Sequence, residues 1–207
     1  MTYAEDEAIR ILQWLITGEV AAGQSLAVEL PFLNVQRKAD IVVAGANRLS
    51  AIEIKGPRDN FKRLAQQLAD YQTMFLDVSL AVPVKHLATA RSLTPTAVGL
   101  ILLSDQDVTW IRRPRIRSRL KAAEAASWLS SKDLAQLLGA STVRAGGLEE
   151  GRRKAAEIFS AKKITNIALE RISSRINERF FAFQRELGSR VNLDDLQMLS
   201  LQGKIRT

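Results

Sequence analysis

The chain has no cysteine and a single histidine, His86, among its 207 residues. The first absence excludes disulfide scaffolds, thiolate zinc sites and cysteine nucleophiles. The second excludes multi-histidine metal centres and leaves little room for a Ser-His-Asp triad. Long apolar runs are missing too. The longest, Val98 to Leu103, falls far short of the roughly 20 residues a bilayer demands. The first residues, Met1-Thr-Tyr-Ala-Glu-Asp-Glu, are acidic and have no signal-peptide layout, so a soluble, cytoplasmic protein with no membrane partner is expected. Any chemistry must draw on carboxylates, lysine and an oxygen-bound metal.

What is present is charge, unevenly spread. A composition of 46% hydrophobic and 25% charged residues suits an ordinary globular chain. The net charge is +8, but residues 1–110 hold 10 Lys/Arg against 12 Asp/Glu, and residues 111–207 hold 20 against 10. A near-neutral front half joined to a basic back half points to chemistry in one and polyanion capture in the other. The alternative is a basic, solvated surface that serves solubility alone.

Apolar spacing predicts a helix over 4–17 and a strand over 25–33. A β-hairpin is expected over 38–55, stopped by Gly56-Pro57, and then a helix capped by Asp59 or Asn60 that runs to Met74. A strand at 78–82, a helix at 86–92 and a hairpin from Val98 to Ile111 complete an α/β core with mixed strand directions. Past Trp110, residues 112–121 carry six cations and no acid. This is the natural boundary between a core at 1–110 and an all-α basic region at 111–207, with helices near 118–128, 131–138, 148–160 and 164–187.

The chemistry gathers in the hairpin. Asp40 opens one strand, and Glu53-Ile54-Lys55 closes the other. Glu53 and Lys55 are two apart, so both leave one face of the sheet while Ile54 turns to the other. Pairing the strands brings Asp40 beside Glu53. Two close carboxylates repel unless a cation joins them, and Mg²⁺ or Mn²⁺ prefers such oxygen ligands, with the Ile54 carbonyl as a further donor. A cation there, with Lys55 beside it, is equipment for hydrolysing a phosphodiester. The plain alternative is a surface hairpin with a cross-strand salt bridge worth under about 1 kcal/mol.

Arg37-x-x-Asp40 followed by Ile52-Glu-Ile-Lys55, with Gln67-Leu-Ala-Asp-Tyr71 on the next helix, resembles the motif set of the PD-(D/E)XK nuclease superfamily. The likeness is to small stand-alone members of the RecB-like, Cas4-like and DNA-repair-endonuclease branches. It covers about 80 residues, Arg63-Leu64, Phe75 and Asp77 included, and departs at Ala39, where the eponymous proline would stand. The resemblance implies a restriction-endonuclease-like mixed-sheet core. Asp40 and Glu53 would bind metal, Lys55 would position the water, Gln67 would orient the site and Tyr71 would pack against or touch substrate. An acid from the first strand or helix often completes such sites; Glu29 is the candidate, with Glu5, Asp6 and Glu7 as rivals.

The resulting expectation is a Mg²⁺- or Mn²⁺-dependent nuclease, a hydrolase acting on DNA rather than RNA in repair, restriction or defence. Arg37, Arg63, Tyr71, Arg112, Arg113, Arg115 and Arg117 are expected to meet nucleic acid, and a homodimer is compatible with the reading. Two rivals stand beside it: a DNA-binding regulator on an inactive nuclease-like scaffold, and an interaction protein whose basic helices bind an acidic partner. Ser131 to Gly139 resembles the first half of a helix-turn-helix, but Gly146-Gly147 interrupts where the second helix is due. His86 is expected on the surface, and Trp14, Trp110 and Trp128 in packing.

Overall fold

The computed structural model describes residues 3–34 and 36–201. Helix α1 (Tyr3–Trp14) continues into a wide turn at Leu15–Glu19 and leads to β1 (Ser25–Phe32). Then come β2 (Arg37–Gly45), β3 (Arg48–Ile54), α2 (Leu64–Met74), β4 (Asp77–Pro83), α3 (Leu87–Leu93), β5 (Gly99–Leu103) and β6 (Val108–Arg112). The back half adds α4 (Ala122–Ala126), α5 (Ser131–Leu138), α6 (Ala140–Ile158), α7 (Ala161–Glu186) and α8 (Leu193–Leu199).

The six strands form one mixed sheet in sequence order. β1, β2 and β3 are an antiparallel meander, because short turns join them. α2 carries the chain across to β4, which lies parallel to β3, and α3 does the same between β4 and β5. β6 returns antiparallel to β5. The fold is therefore α/β with mixed strand directions.

The boundary at residue 111 is one of charge and not of core. Trp128, Ile164, Ile172, Ile176 and Phe183 of the back half lie in the same buried cluster as Leu26, Ile41, Leu49 and Leu80 of the sheet. α7 packs directly on β1 and β2. Its buried positions Ile164, Ala168, Leu169, Ile172, Ile176, Phe180 and Phe183 recur at three- and four-residue steps, the stripe a helix lays on an apolar surface.

The structure refines the local expectations. α2 begins at Leu64, because Asp59 accepts from the Gly56 amide (2.9 Å) and Asn60 from the Lys62 amide (3.2 Å); both side chains cap turns of the loop instead of the helix. The interruption expected at Gly146-Gly147 is present: Gly147 is non-helical (φ 75°), so α6 is two helices joined across a kink there. α5 meets α6 at Gly139 alone (φ 89°), a conformation that favours glycine, so the pair is a tight helical hairpin. α8 lies beyond the helices expected from the apolar spacing.

Residues 113–121 form an extended strap over the starting ends of β4 and β5. Arg117 N donates to Leu76 O and Arg115 N to Ala97 O, both at 2.9 Å. Ser50 pairs with Asp77 and Ile54 with Ala81, so the strap and the Glu53-Ile54-Lys55 segment sit at opposite ends of the sheet. At about 3.3 Å per residue, some 13 Å of strand separates them.

Candidate functional site

The register between β1 and β2, with Val28 facing Ile41 and Leu30 facing Ala39, puts Glu29 across from Asp40. Ile41 pairs with Ile52, which carries Asp40 to the level of Glu53. Asp40 Oδ2 accepts from the Ile54 amide at 2.8 Å, which holds the Asp40 carboxyl beside that of Glu53. Burial, and then the Glu53 charge, push the Asp40 carboxyl up to about 7, against the opposing pull of the Ile54 amide and Lys55.

Glu53 is only 4% exposed and is surrounded by donors. Lys55 Nζ lies 2.6 Å from its Oε1, and Gln67 Nε2 donates to the same oxygen at 2.9 Å. Tyr71 Oη donates to Oε2 at 2.6 Å and also lies 3.0 Å from the Lys38 carbonyl. Gln67 Oε1 in turn accepts from Lys55 Nζ at 3.0 Å, which fixes the orientation of its amide. Gln67 and Tyr71 are one helical turn apart on α2 and present one face to this cluster. Burial and the neighbouring carboxylates hold the Tyr71 phenol above its ordinary value, so it remains a donor.

The structure thus brings Asp40, Glu53, Ile54, Lys55, Gln67 and Tyr71 together. Glu29 lines the same cavity, of about 640 Å³, as does Glu5 from α1. The Glu29 carboxylate is engaged by Ser200 Oγ (2.8 Å) and Lys38 (3.7 Å), and its backbone is left-handed (φ 54°), a conformation uncommon outside glycine and often found at working sites. Arg63 lines an adjoining recess with Lys55, Lys62 and Gln67. Arg37 pairs with Asp70 at 2.8 Å. His86 meets the Pro57 carbonyl at 3.2 Å and the edge of Phe61, pinning the loop that follows β3.

The arginines of the strap stand apart from this cavity, and several are engaged. Arg112 donates to the Val98 and Pro95 carbonyls, each at 3.0 Å. Arg113 forms a two-pronged pair with Glu19. Arg117 donates to the Thr73 and Phe75 carbonyls. Arg115 and Arg119 are exposed and have no side-chain partner among the described residues. Sequence reasoning missed the far wall of the cavity, formed by Arg179, Leu193, Leu196, Gln197 and Ser200. Asn192 and Asp195, which form a capping box, mark the start of α8 in the sequence but not its place at the cavity.

Asp40 and Glu53 set two carboxyls side by side, and oxygen donors of this kind fit a hard divalent cation. Asp40 and Glu53 would hold Mg²⁺ or Mn²⁺, which when bound would supply a positive centre for a phosphate oxygen and an acidified water. Among the described residues no three carboxylate or imidazole groups stand together as a complete cage, so water would fill the remaining positions.

The family model of bacteriophage P4 protein cII matches residues 2–200. The chain belongs to the bacteriophage P4 cII family. Protein cII of Enterobacteria phage P4 is 24% identical over 206 residues, spanning 95% of this chain and 77% of that protein. A solved structure, the SPO1766 protein of unknown function from Silicibacter pomeroyi, aligns over 91% of this chain and 97% of its own with a TM-score of 0.48 and 15% identity. The cII assignment corrects the PD-(D/E)XK resemblance and the labels nuclease, endonuclease and hydrolase that came with it. The resemblance rested on a few common polar residue types within about 80 residues, whereas the cII match takes in nearly the whole described chain.

Proposed function

We propose that this member of the cII family is a nucleic-acid-binding regulator, acting on DNA in the cytoplasm through its basic back half. The observation that carries the reading is the surplus of free cations there. Arg115, Arg119, Lys132, Arg144, Lys162, Arg185 and Arg190 are exposed and have no carboxylate partner among the described residues. By contrast Arg152, Arg153 and Lys154 are paired with Glu149, Glu150 and Glu157 along α6 and are poorly placed to meet phosphates. Unpaired cations gain most from a polyanion, because they release the phosphates' counterions without first giving up a partner.

The test is a titration of labelled duplex DNA, single-stranded DNA and RNA at several salt concentrations, with the stoichiometry reporting one copy or a homodimer. Affinity that falls steeply with salt, and DNA bound ahead of RNA, are the expected results. Failure to bind any of the three at low salt would leave the acidic-partner reading in its place.

A second reading, phosphodiesterase activity dependent on Mg²⁺ or Mn²⁺, is favoured by one observation: the buried Glu53, Lys55 and Gln67 network beside Asp40. A buried ion pair adds little stability over apolar packing of the same volume, so its presence beside a second carboxyl suits a chemical task. Incubation with the same nucleic acids and either cation, with Asp40→Asn as the control, decides it. Cleavage by the parent protein and none by the variant is expected on this reading.

A further inference from the structure

The far wall of the acidic cavity is firmly built. Leu201 N donates to Val28 O at 3.0 Å, adding a short parallel bridge between Ser200 and the edge of β1. Arg179 of α7 donates to the Ser200 carbonyl, and Ser200 Oγ to Glu29. Leu196 and Leu199 of α8 are buried in the core beneath this segment. The wall is therefore part of the fold and not a loose lid.

Size limits what the cavity admits. About 640 Å³ bounded by α1, β1, β2, β3, α7 and α8 is the size of a small-molecule site, too small for an intact duplex. Its lining is mixed in a particular way. Ala8, Val28, Leu193 and Leu196 offer apolar surface, and Gln197 offers an amide that both donates and accepts. Lys55 and Arg179 are cations, and Arg179 keeps guanidinium donors beyond the one used on Ser200. Asp40 and Glu53 also face the cavity, so the cation they would hold is what admits an anion beside them.

We infer that this cavity takes one unstacked nucleotide of a strand, with its phosphate between Arg179 and a divalent cation and its base or sugar on the apolar wall. The inference rests on the cation reading of Asp40 and Glu53 given above. A nucleotide swung out of its stack presents a planar apolar face and a polar edge, which matches the leucines and Gln197. A polyamine would suit the lining carboxylates, but Lys55 and Arg179 would repel it.

The experiment uses the full chain and isothermal titration with Mn²⁺ alone, then with thymidine 5′-monophosphate in the presence and absence of Mn²⁺. Mn²⁺ should bind alone, and the nucleotide only in its presence. Gln197→Trp, which fills the cavity from an exposed position on α8, should keep Mn²⁺ binding and weaken the nucleotide by about tenfold or more. Arg179→Gln should also spare Mn²⁺ and weaken the nucleotide. Absence of Mn²⁺ binding would overturn this inference and the cation reading together. Mn²⁺ binding with no nucleotide response, or nucleotide binding that Gln197→Trp leaves intact, would overturn the inference alone. So would spermidine binding in place of the nucleotide and lost in Asp40→Asn.

Discussion

At the Ile54 end of the sheet, Glu53, Lys55 and Tyr71 are buried and bonded to one another. At the Ser50 end, Arg115, Ile116 and Arg119 stand in solvent on a strap whose neighbouring arginines hold carbonyls and Glu19. The two regions hold similar side chains at very different free-energy cost. Charges on the strap remain hydrated and are cheap to keep, so they serve as a phosphate-facing surface or as anchors. The pocket's charges have lost their water and depend on each other's geometry. Charge density read from sequence marks the first kind of region, while only register and burial mark the second.

The contrast breaks most sharply at Lys55. Lys55→Met leaves Glu53 and Asp40 without their cation, and breaking a buried pair in this way costs about 3–5 kcal/mol. Urea unfolding at pH 7 measures it. A loss below about 1 kcal/mol, the value of an exposed pair, would show that the pocket behaves as surface.

The next largest effect is on pH. The Asp40 carboxyl stands at about 7 in the folded protein against an ordinary 3.8, so the folded state keeps a proton that the unfolded chain releases. Its contribution is complete below about pH 4 and is lost as pH rises through about 7. Over that window the parent should lose about 2–4 kcal/mol relative to Asp40→Asn, at about 1.4 kcal/mol for each tenfold change in proton affinity. Parallel stability curves for the two proteins would remove the buried carboxyl pair from the account.

Smaller again is the seat of the strap. A Cβ on Gly99 would lie 2.4 Å from Ser79 Oγ and 2.9 Å from Pro114 Cδ. Gly99→Ala should cost about 1–3 kcal/mol in thermal or urea unfolding, because the strap must lift to admit it. A neutral result would mean that the strap is loosely held.

The smallest effect on stability belongs to the free arginines. Arg115→Gln with Arg119→Gln should move stability by no more than about 0.5 kcal/mol. The same pair should flatten the salt dependence of DNA binding by up to about 0.9 for each phosphate left without its cation. Arg112→Gln should do the reverse, destabilising by about 1–3 kcal/mol as the Val98 and Pro95 carbonyls lose their donor, with little change in salt slope.

Most of the fold was legible because each front-half element carries its own period. The β-branched run at Ile41-Val42-Val43, the stop at Gly56-Pro57 and the stripe Leu64, Leu68, Tyr71 each state one element locally. The convergence of Asp40, Glu53 and Lys55 followed from alternation along two paired strands, and that of Gln67 and Tyr71 from one helical turn. The far wall was not legible in this way. Arg179, Gln197 and Ser200 reach the pocket through packing of α7 and α8 on β1, which no local pattern encodes. The fate of the strap arginines was hidden for the same reason: Arg112 and Arg117 find carbonyls at Val98 and Phe75 that only the sheet brings near. Family membership was hidden behind residue types that recur in unrelated hairpins.

The bond from Leu201 to Val28 joins residues 173 apart in sequence, and that separation bears on how the chain assembles. Pairings of such long range form late, after the loops between them have closed. During synthesis the β1–β2–β3 meander is complete long before α8 leaves the ribosome, so every new molecule passes through a stage with the edge of β1 bare. An unpaired edge is a template for other strands, and pairing with Ser200 and Leu201 removes part of it. A chain cut before Val191 should therefore show its defect first as self-association, detectable by light scattering, while its sheet remains folded by circular dichroism.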